Sequence, residues 1–170
     1  MRKLSFVILT TFLGIAAGSF SHNAIIGAPA DEDFAGKAAN GGKMEVELGR
    51  LAAKKGRNAA VRTFGRRMVT DHTKAGNKLK MLAAKKHMTL PTEMDAESHE
   101  AMQRLSGLQG AQFDRAYMDM MVSDHEKDIT EFETESQSGA DADLKAFATS
   151  TLPTLKVHLQ LARDAAAKVK

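Results

Sequence analysis

The 170-residue chain contains no cysteine and no tryptophan, a single tyrosine, and only three prolines, at Pro29, Pro91 and Pro153. Without cysteine there is no disulfide, no thiolate metal ligand and no lipid-bearing residue behind a leader. Stability must then come from packing, helped at most by a metal held through other side chains. The scarcity of proline leaves long stretches without a helix breaker, in a chain rich in Ala, Leu, Met and Lys, all good helix formers. No glycine-rich phosphate loop follows a strand, and no Ser/His/Asp or Cys/His nucleophile arrangement is present. Basic and acidic residues number 24 and 21. No basic run suits a phosphate backbone, so nucleic acid is not an expected partner.

No acid occurs before Asp31. Arg2 and Lys3 precede an apolar run from Leu4 to Ala17, shorter than the about 20 residues that a membrane span requires. A basic start, a short apolar run and small residues beyond it read as a secretory signal peptide. Gly18, Ser21 and Ala28-Pro29-Ala30 offer cleavage points. The expectation is a leader and short flexible segment over residues 1–30 and one helical domain over residues 31–170, large enough for a single core. The protein would be periplasmic or secreted, with no membrane span once the signal is removed. Loss of residues 1–30 takes away two basic side chains and no acid, leaving a nearly neutral domain.

One phrase occurs twice. Met68-Val69-Thr70-Asp71-His72-Thr73-Lys74 returns as Met121-Val122-Ser123-Asp124-His125-Glu126-Lys127. Each copy sits in an apolar pattern of helical period and sets an acid beside an imidazole. Similar phrases in a helical chain suggest similar helices. Four long helices are expected. The first carries Phe34, Ala38, Gly41, Glu45, Leu48 and Ala52 at steps of three and four. Gly41-Gly42 either breaks it near Asn40 or lets another helix approach closely. Glu47, among Lys43, Arg50 and Lys54, should be solvated. Gly56-Arg57-Asn58 ends this helix and caps the next, which carries Val61, Phe64, Met68, Asp71, Ala75, Leu79 and Leu82 and should run to about His87. The third runs from about Ala111 to Ser138. The fourth carries Leu144, Phe147, Leu155, His158 and Leu161, with a kink expected at Pro153. Between the second and third, residues 93–107 predict a short helix inside a connection too long for a hairpin. That suits a crossover travelling the length of a four-helix bundle.

Each long helix offers an inward or near-inward polar group: Glu45, the pair Asp71 and His72, the pair Asp124 and His125, and His158. If their levels coincide, three imidazoles and a carboxylate can bind zinc, manganese, iron or copper. Asp71 and Asp124 would then be further ligands or acceptors for ring N–H groups. The plainer reading is a set of buried Asp–His hydrogen bonds that fixes helix register. Met68, Met118, Met120 and Met121 lie near these histidines in sequence. Thioether with imidazole suits Cu(I), although methionine at helical spacing is usually core filling. His87 and His99 fall at helix ends or in the crossover and should be solvated; His22 precedes the domain.

Several segments together resemble a known family. They are Phe34-x3-Ala38-x3-Gly42-x2-Glu45-Val46-Glu47-Leu48-Gly49, then Val61-x2-Phe64-x3-Met68-Val69-x-Asp71-His72, then Phe113-Asp114-x2-Tyr117, Asp124-His125, and Ala146-Phe147-Ala148-x3-Leu152-Pro153-x4-His158. Over about residues 32 to 165 the chain resembles a bacterial family of exported proteins known as a domain of unknown function. Its members carry labels such as outer-membrane or periplasmic protein. The resemblance implies an all-α, ferritin-like four-helix bundle and export, and supplies no activity. Ferritin-like di-iron proteins use Glu-x-x-His on two helices. Here Val69, Val122 and Leu155 stand three residues before His72, His125 and His158.

Three functional readings follow. The first is an exported transition-metal-binding protein with a role in metal or oxidative stress. The second is a structural or interaction module of the envelope. The third is a metal-dependent redox enzyme of dismutase or oxidase type. The expected partner is a metal ion; a second copy of the chain or an envelope component is the macromolecular alternative.

Overall fold

The computed structural model describes residues 29–169; the apolar run expected to belong to a leader and His22 lie outside the described residues. The chain is an all-α, ferritin-like bundle of four long helices with one short helix in the crossover. The helices are α1 Pro29–Lys55, α2 Ala59–Lys85, α3 Ala96–Gly107, α4 Gly110–Ser138 and α5 Ala142–Ala167. Among the described residues no helix is long and apolar enough to cross a membrane.

Local sequence sets the boundaries. Asn58, Asp95 and Asp141 are N-caps whose side chains accept from the backbone N–H of Ala60, Ser98 and Leu144 respectively. At the end of α2, His87 takes a left-handed conformation with φ 56. Met88 N–H then reaches the Ala83 carbonyl at 2.9 Å and His87 N–H the Ala84 carbonyl at 3.3 Å. This is the two-bond closure that glycine usually provides, and it stops the helix without a glycine or proline.

One local expectation is corrected. α1 begins at Pro29 and does not break at Gly41-Gly42. The buried residues Phe34 and Ala35 on one side and Glu45, Leu48 and Ala52 on the other hold it through the pair, because tertiary burial outweighs propensity. The close helix approach lies further on. A Cβ at Gly49 would stand 2.7 Å from the Gly65 carbonyl oxygen, and one at Gly65 2.6 Å from that of Gly49. α5 passes through Pro153 as one helix. Pro153 and Thr149, the residue whose carbonyl loses its donor, are both exposed, so the vacancy lies on the outer face.

The chain folds as two hairpins, α1–α2 and α4–α5, which meet along α2–α5 and α1–α4 and leave α2 and α4 diagonal. Each hairpin turn is held by an acid from the start of the other hairpin. Asp31 accepts from the backbone N–H of Ala140 and Asp141, both at 3.0 Å. Asp114 accepts from those of Arg57 and Asn58 at 2.9 and 2.7 Å. Both carboxylates are buried. The end of α2 thus lies at one end of the bundle, where Lys86 pairs with Asp141, and the start of α4 at the other. The crossover must travel between them, and it does so along α1. Lys43 donates to the Pro91 and Thr92 carbonyls, Asn40 to Asp95 and Ser98, and Lys55 to the Ser106 carbonyl.

The apolar core has two parts. One is built on Leu48, Phe64, Met68, Tyr117, Met121 and Ala162, the other on Phe34, Leu79, Phe132, Leu144 and Leu155. On every long helix one buried polar residue falls between the stretches that feed the two parts: Glu45, His72, His125 and His158. Met68, Met118 and Met121 are core filling.

Two measurements test this account. Asp114→Ala should cost about 1–3 kcal/mol in chemical denaturation, since it strands two part-buried turn N–H donors; a loss near zero would mean that the cap is immaterial. Gly49→Ala should also destabilise, by about 1–3 kcal/mol, because overpacking against a backbone carbonyl outweighs the helix-propensity gain of about 1 kcal/mol. An increase in stability would show that the helices are not pressed together there.

Candidate metal centre

Helical period brings Glu45, His72, His125 and His158 to one level of the bundle, each from a different long helix and each buried. One ring nitrogen from each histidine lies within 4.8 Å of the other two. Glu45 Oε2 is 2.7 Å from His72 Nδ1. Its other oxygen, Oε1, lies 3.3 Å from His125 Nε2 without the alignment of a hydrogen bond. His125 Nε2 faces His158 Nδ1 at 3.4 Å.

The remaining ring nitrogens determine the tautomers. His125 Nδ1–H donates to the Met121 carbonyl one turn back, at 2.9 Å. His158 Nε2–H donates to Asp71 Oδ2 at 2.8 Å. Arg67 Nε–H donates to the same oxygen at 3.1 Å and anchors it. With those two protons committed outward, His125 Nε2 and His158 Nδ1 turn lone pairs on each other. Two buried lone pairs at 3.4 Å repel unless a cation or proton lies between them. His72 Nδ1 lies 2.7 Å from Glu45 Oε2, and its buried Nε2 has no partner, as is also true of Glu45 Oε1 and of the Tyr117 hydroxyl nearby. Orphaned buried acceptors of this kind fit a bound cation. Nitrogens 3.4 Å apart match the spacing expected for two imidazoles bonded at about 2.0–2.1 Å to a tetrahedral ion.

Burial dominates the electrostatics. It lowers the pKa of His72 and His125, and it takes His158 down to about 4 even though Asp71 pulls the other way. Burial raises Glu45 to about 7, against the attraction of His125. Asp71 feels the same upward push, but the hydrogen bonds and charges of His158 and Arg67 outweigh it and leave the carboxyl below its usual range. The site is therefore poised with neutral imidazoles and one carboxyl that titrates near neutrality.

Of the six residues singled out from sequence, five form this cluster: Glu45, His72, His125 and His158, with Asp71 bonded to His158 from outside. Asp124 goes elsewhere. It turns toward α1 and α3 into a groove it shares with Asn40, Gly41, Glu97 and Arg104. Its Oδ2 is buried without a partner, and burial raises the carboxyl to about 6. Asp128, one turn after Asp124, was not singled out. Burial and the Glu45 charge raise it well above the carboxylate range, and its own charge acts on His72. The available signal was spacing: Asp128 stands after Glu45 at the interval that also separates Asp114 from Asp31 and Asp141 from Asn58. His87 and His99 are exposed.

Two solved structures share the fold. A DUF305 fragment from Deinococcus radiodurans aligns with a TM-score of 0.74 at 11% identity, covering 84% of this chain and 98% of its own. CopM in the Cu(II)-bound form aligns with a TM-score of 0.65 at 11% identity, covering 82% of this chain and 97% of its own. At that identity the likeness concerns the fold alone. No curated protein matches the chain. The family described as a domain of unknown function, DUF4142, matches residues 21–165, and the chain belongs to it.

Proposed function

We propose that this is an exported protein that binds one transition-metal ion in the middle of its bundle, through His72, His125, His158 and Glu45. The observation that carries the reading is the facing pair of lone pairs, His125 Nε2 and His158 Nδ1 at 3.4 Å, pinned by proton donation to Met121 and Asp71. A purely register-fixing cluster would place a proton between such nitrogens. Asp71 is the outer carboxylate that orients His158 and strengthens it as a donor to a metal, and Arg67 fixes Asp71. Zinc, manganese, iron and copper all accept imidazole and carboxylate, and Cu(II) heads the affinity order among the divalent ions. CopM, similar in fold, was determined with Cu(II). Three imidazoles and a carboxylate close a tetrahedral site. That favours retention of the ion over turnover at it, and a protective role under metal stress in the periplasm over a dismutase or oxidase.

The structural reading is favoured by one observation. The His158–Asp71 hydrogen bond and the His72–Glu45 contact each join two helices through the protein's own side chains. Metal analysis separates the two. The mature protein titrated with Cu(II), Zn(II), Mn(II) and Fe(II) should take up about one ion per chain. His125→Ala/His158→Ala should take up none, and Asp71→Asn should bind about 10–100-fold more weakly. Failure of the intact protein to take up any of the four would leave the cluster as a register device.

The pKa shifts set the pH response. The imidazoles, lowered by burial, stay neutral well into the acid range. Glu45, raised to about 7, takes up a proton as pH falls through neutrality and must release it to bind a cation. Metal affinity measured calorimetrically should fall about tenfold per pH unit below 7, the signature of one proton. The slope should flatten in Glu45→Gln. A slope of several protons, or one that survives in Glu45→Gln, would place the competing protons on the imidazoles.

A further inference from the structure

Among the described residues, two of the depressions that reach the polar layer open on opposite sides and carry opposite charge. On the α1–α2 face, a cavity of about 240 Å³ leads to His72 between Gly42 and Gly76. Lys43, Arg50 and Lys80 line it against the single acid Glu47. On the other side, a groove of about 500 Å³ between α1, α4 and the crossover leads to Glu45. Six carboxylates line it, those of Glu45, Glu93, Asp95, Asp124, Asp128 and Glu131, against Lys37 and Lys127. Lys37 is tied to Asp33 at 2.7 Å.

The acids differ in burial along the groove. Glu93 and Asp95 are exposed, Asp124 and Asp128 are half-buried, and Glu45 at the inner end is 1% exposed. Two oxygens in this series lack partners, Asp124 Oδ2 and Glu45 Oε1. The second belongs to a side chain almost wholly buried that both lines the groove and touches the histidine cluster. Gly41 leaves the way past α1 clear: a Cβ there would come no nearer than 4.0 Å to Asp128 Oδ1.

We propose that this groove is the route by which a divalent cation reaches the buried site, handed from Asp124 and Asp128 to Glu45 and from Glu45 to the imidazoles. The proposal rests on the metal-binding reading and adds a direction to it. Clefts lined by one sign of charge concentrate the opposite ion and raise its rate of arrival. The basic α1–α2 cavity repels a cation and is not the route. Glu45 joins the two stages, with Oε2 held by His72 and Oε1 free to meet an arriving ion. The crossover forms the outer wall, so the route is a product of the long connection and not of the four-helix bundle alone.

The test separates rate from capacity. The chain has one tyrosine and no tryptophan, and Tyr117 lies buried beside Glu45 and the Phe64–His125 contact. Cu(II) uptake can therefore be followed by stopped-flow quenching of tyrosine emission. In Gly41→Leu, a side chain enters the groove without altering any ligand, and leucine favours the helix more than glycine does. Uptake should slow at least about tenfold, within the range that a charged cleft contributes, and should end at the same Cu(II) content as in the intact protein. In Asp124→Asn/Asp128→Asn, the uptake rate should depend less steeply on ionic strength. Equal rates in Gly41→Leu and the intact protein, or an unchanged salt dependence in the double variant, would overturn the route while leaving the metal site standing. No uptake by the intact protein would overturn both.

Discussion

The bundle depends on one constraint: a polar layer crosses its core at mid-height, and every group in it must be satisfied from a neighbouring helix. An imidazole or carboxylate buried without a partner costs several kcal/mol. Here the contacts run around the whole bundle. Glu45 joins α1 to α2 through His72 and faces His125 on α4, His158 on α5 bonds Asp71 on α2, and His125 and His158 face each other across α4 and α5. Each of the four interfaces between adjacent long helices therefore carries one polar contact at the same level. Slipping any helix by a turn would push its polar group into the layer of Leu48 and Phe64 or that of Leu79 and Phe132. The layer thus fixes register, whatever else it does, and it explains why the apolar core is divided in two.

The scaffold around the layer is nearly two-fold symmetric, and the layer is not. Asp31 and Asp114 tie down opposite turns in the same way, and Asn58 and Asp141 cap α2 and α5 alike. These pairs, with Glu45 and Asp128, stand at one constant spacing in the chain. The histidines break the pattern. At that spacing His72 corresponds to Leu155, His158 to Ala75, and His125 to Gly42. One half of a duplicated framework thus supplies a carboxylate and an imidazole to the centre, and the other supplies two imidazoles. Asp128, the counterpart of Glu45, is left at the edge, where it lines the acidic groove. On opposite sides of the layer lie an acidic groove and a basic cavity.

Much of this was legible in the chain. The three- and four-residue steps located the long helices, Gly56-Arg57-Asn58 located the first turn although Gly41-Gly42 is no break, and the length of the segment between α2 and α4 required a crossover. The four central residues were legible because each interrupts an apolar stripe at a comparable point. The repeated Asp-His phrase was less informative. Adjacent residues on a helix point about 100° apart, so period alone cannot say which of an acid and an imidazole faces inward. Packing decides. The histidine faces inward in both copies, but Asp71 turns to α5 and Asp124 to α1 and α3, because α2 and α4 sit on opposite corners with different neighbours. Asp31 and Asp114 were illegible for a different reason: their partners are backbone N–H groups more than fifty residues away, which no side-chain pattern reveals.

The cost of the layer bears on how the protein would use it. Hydrogen bonds and close contacts among the layer's own side chains engage most of its groups. They leave His72 Nε2 and Glu45 Oε1 unpartnered and two lone pairs opposed. A cation accepted there removes those penalties without breaking the outward bonds of His125 to Met121 and His158 to Asp71. On this reading, affinity and stability are linked by mass action: at about a thousandfold excess over Kd, a ligand specific for the folded state adds about 4 kcal/mol. That is a large fraction of the 5–15 kcal/mol that usually holds a domain together. On the metal-binding reading, a site that collects an ion from outside would need both the groove and a core that stands before the ion arrives.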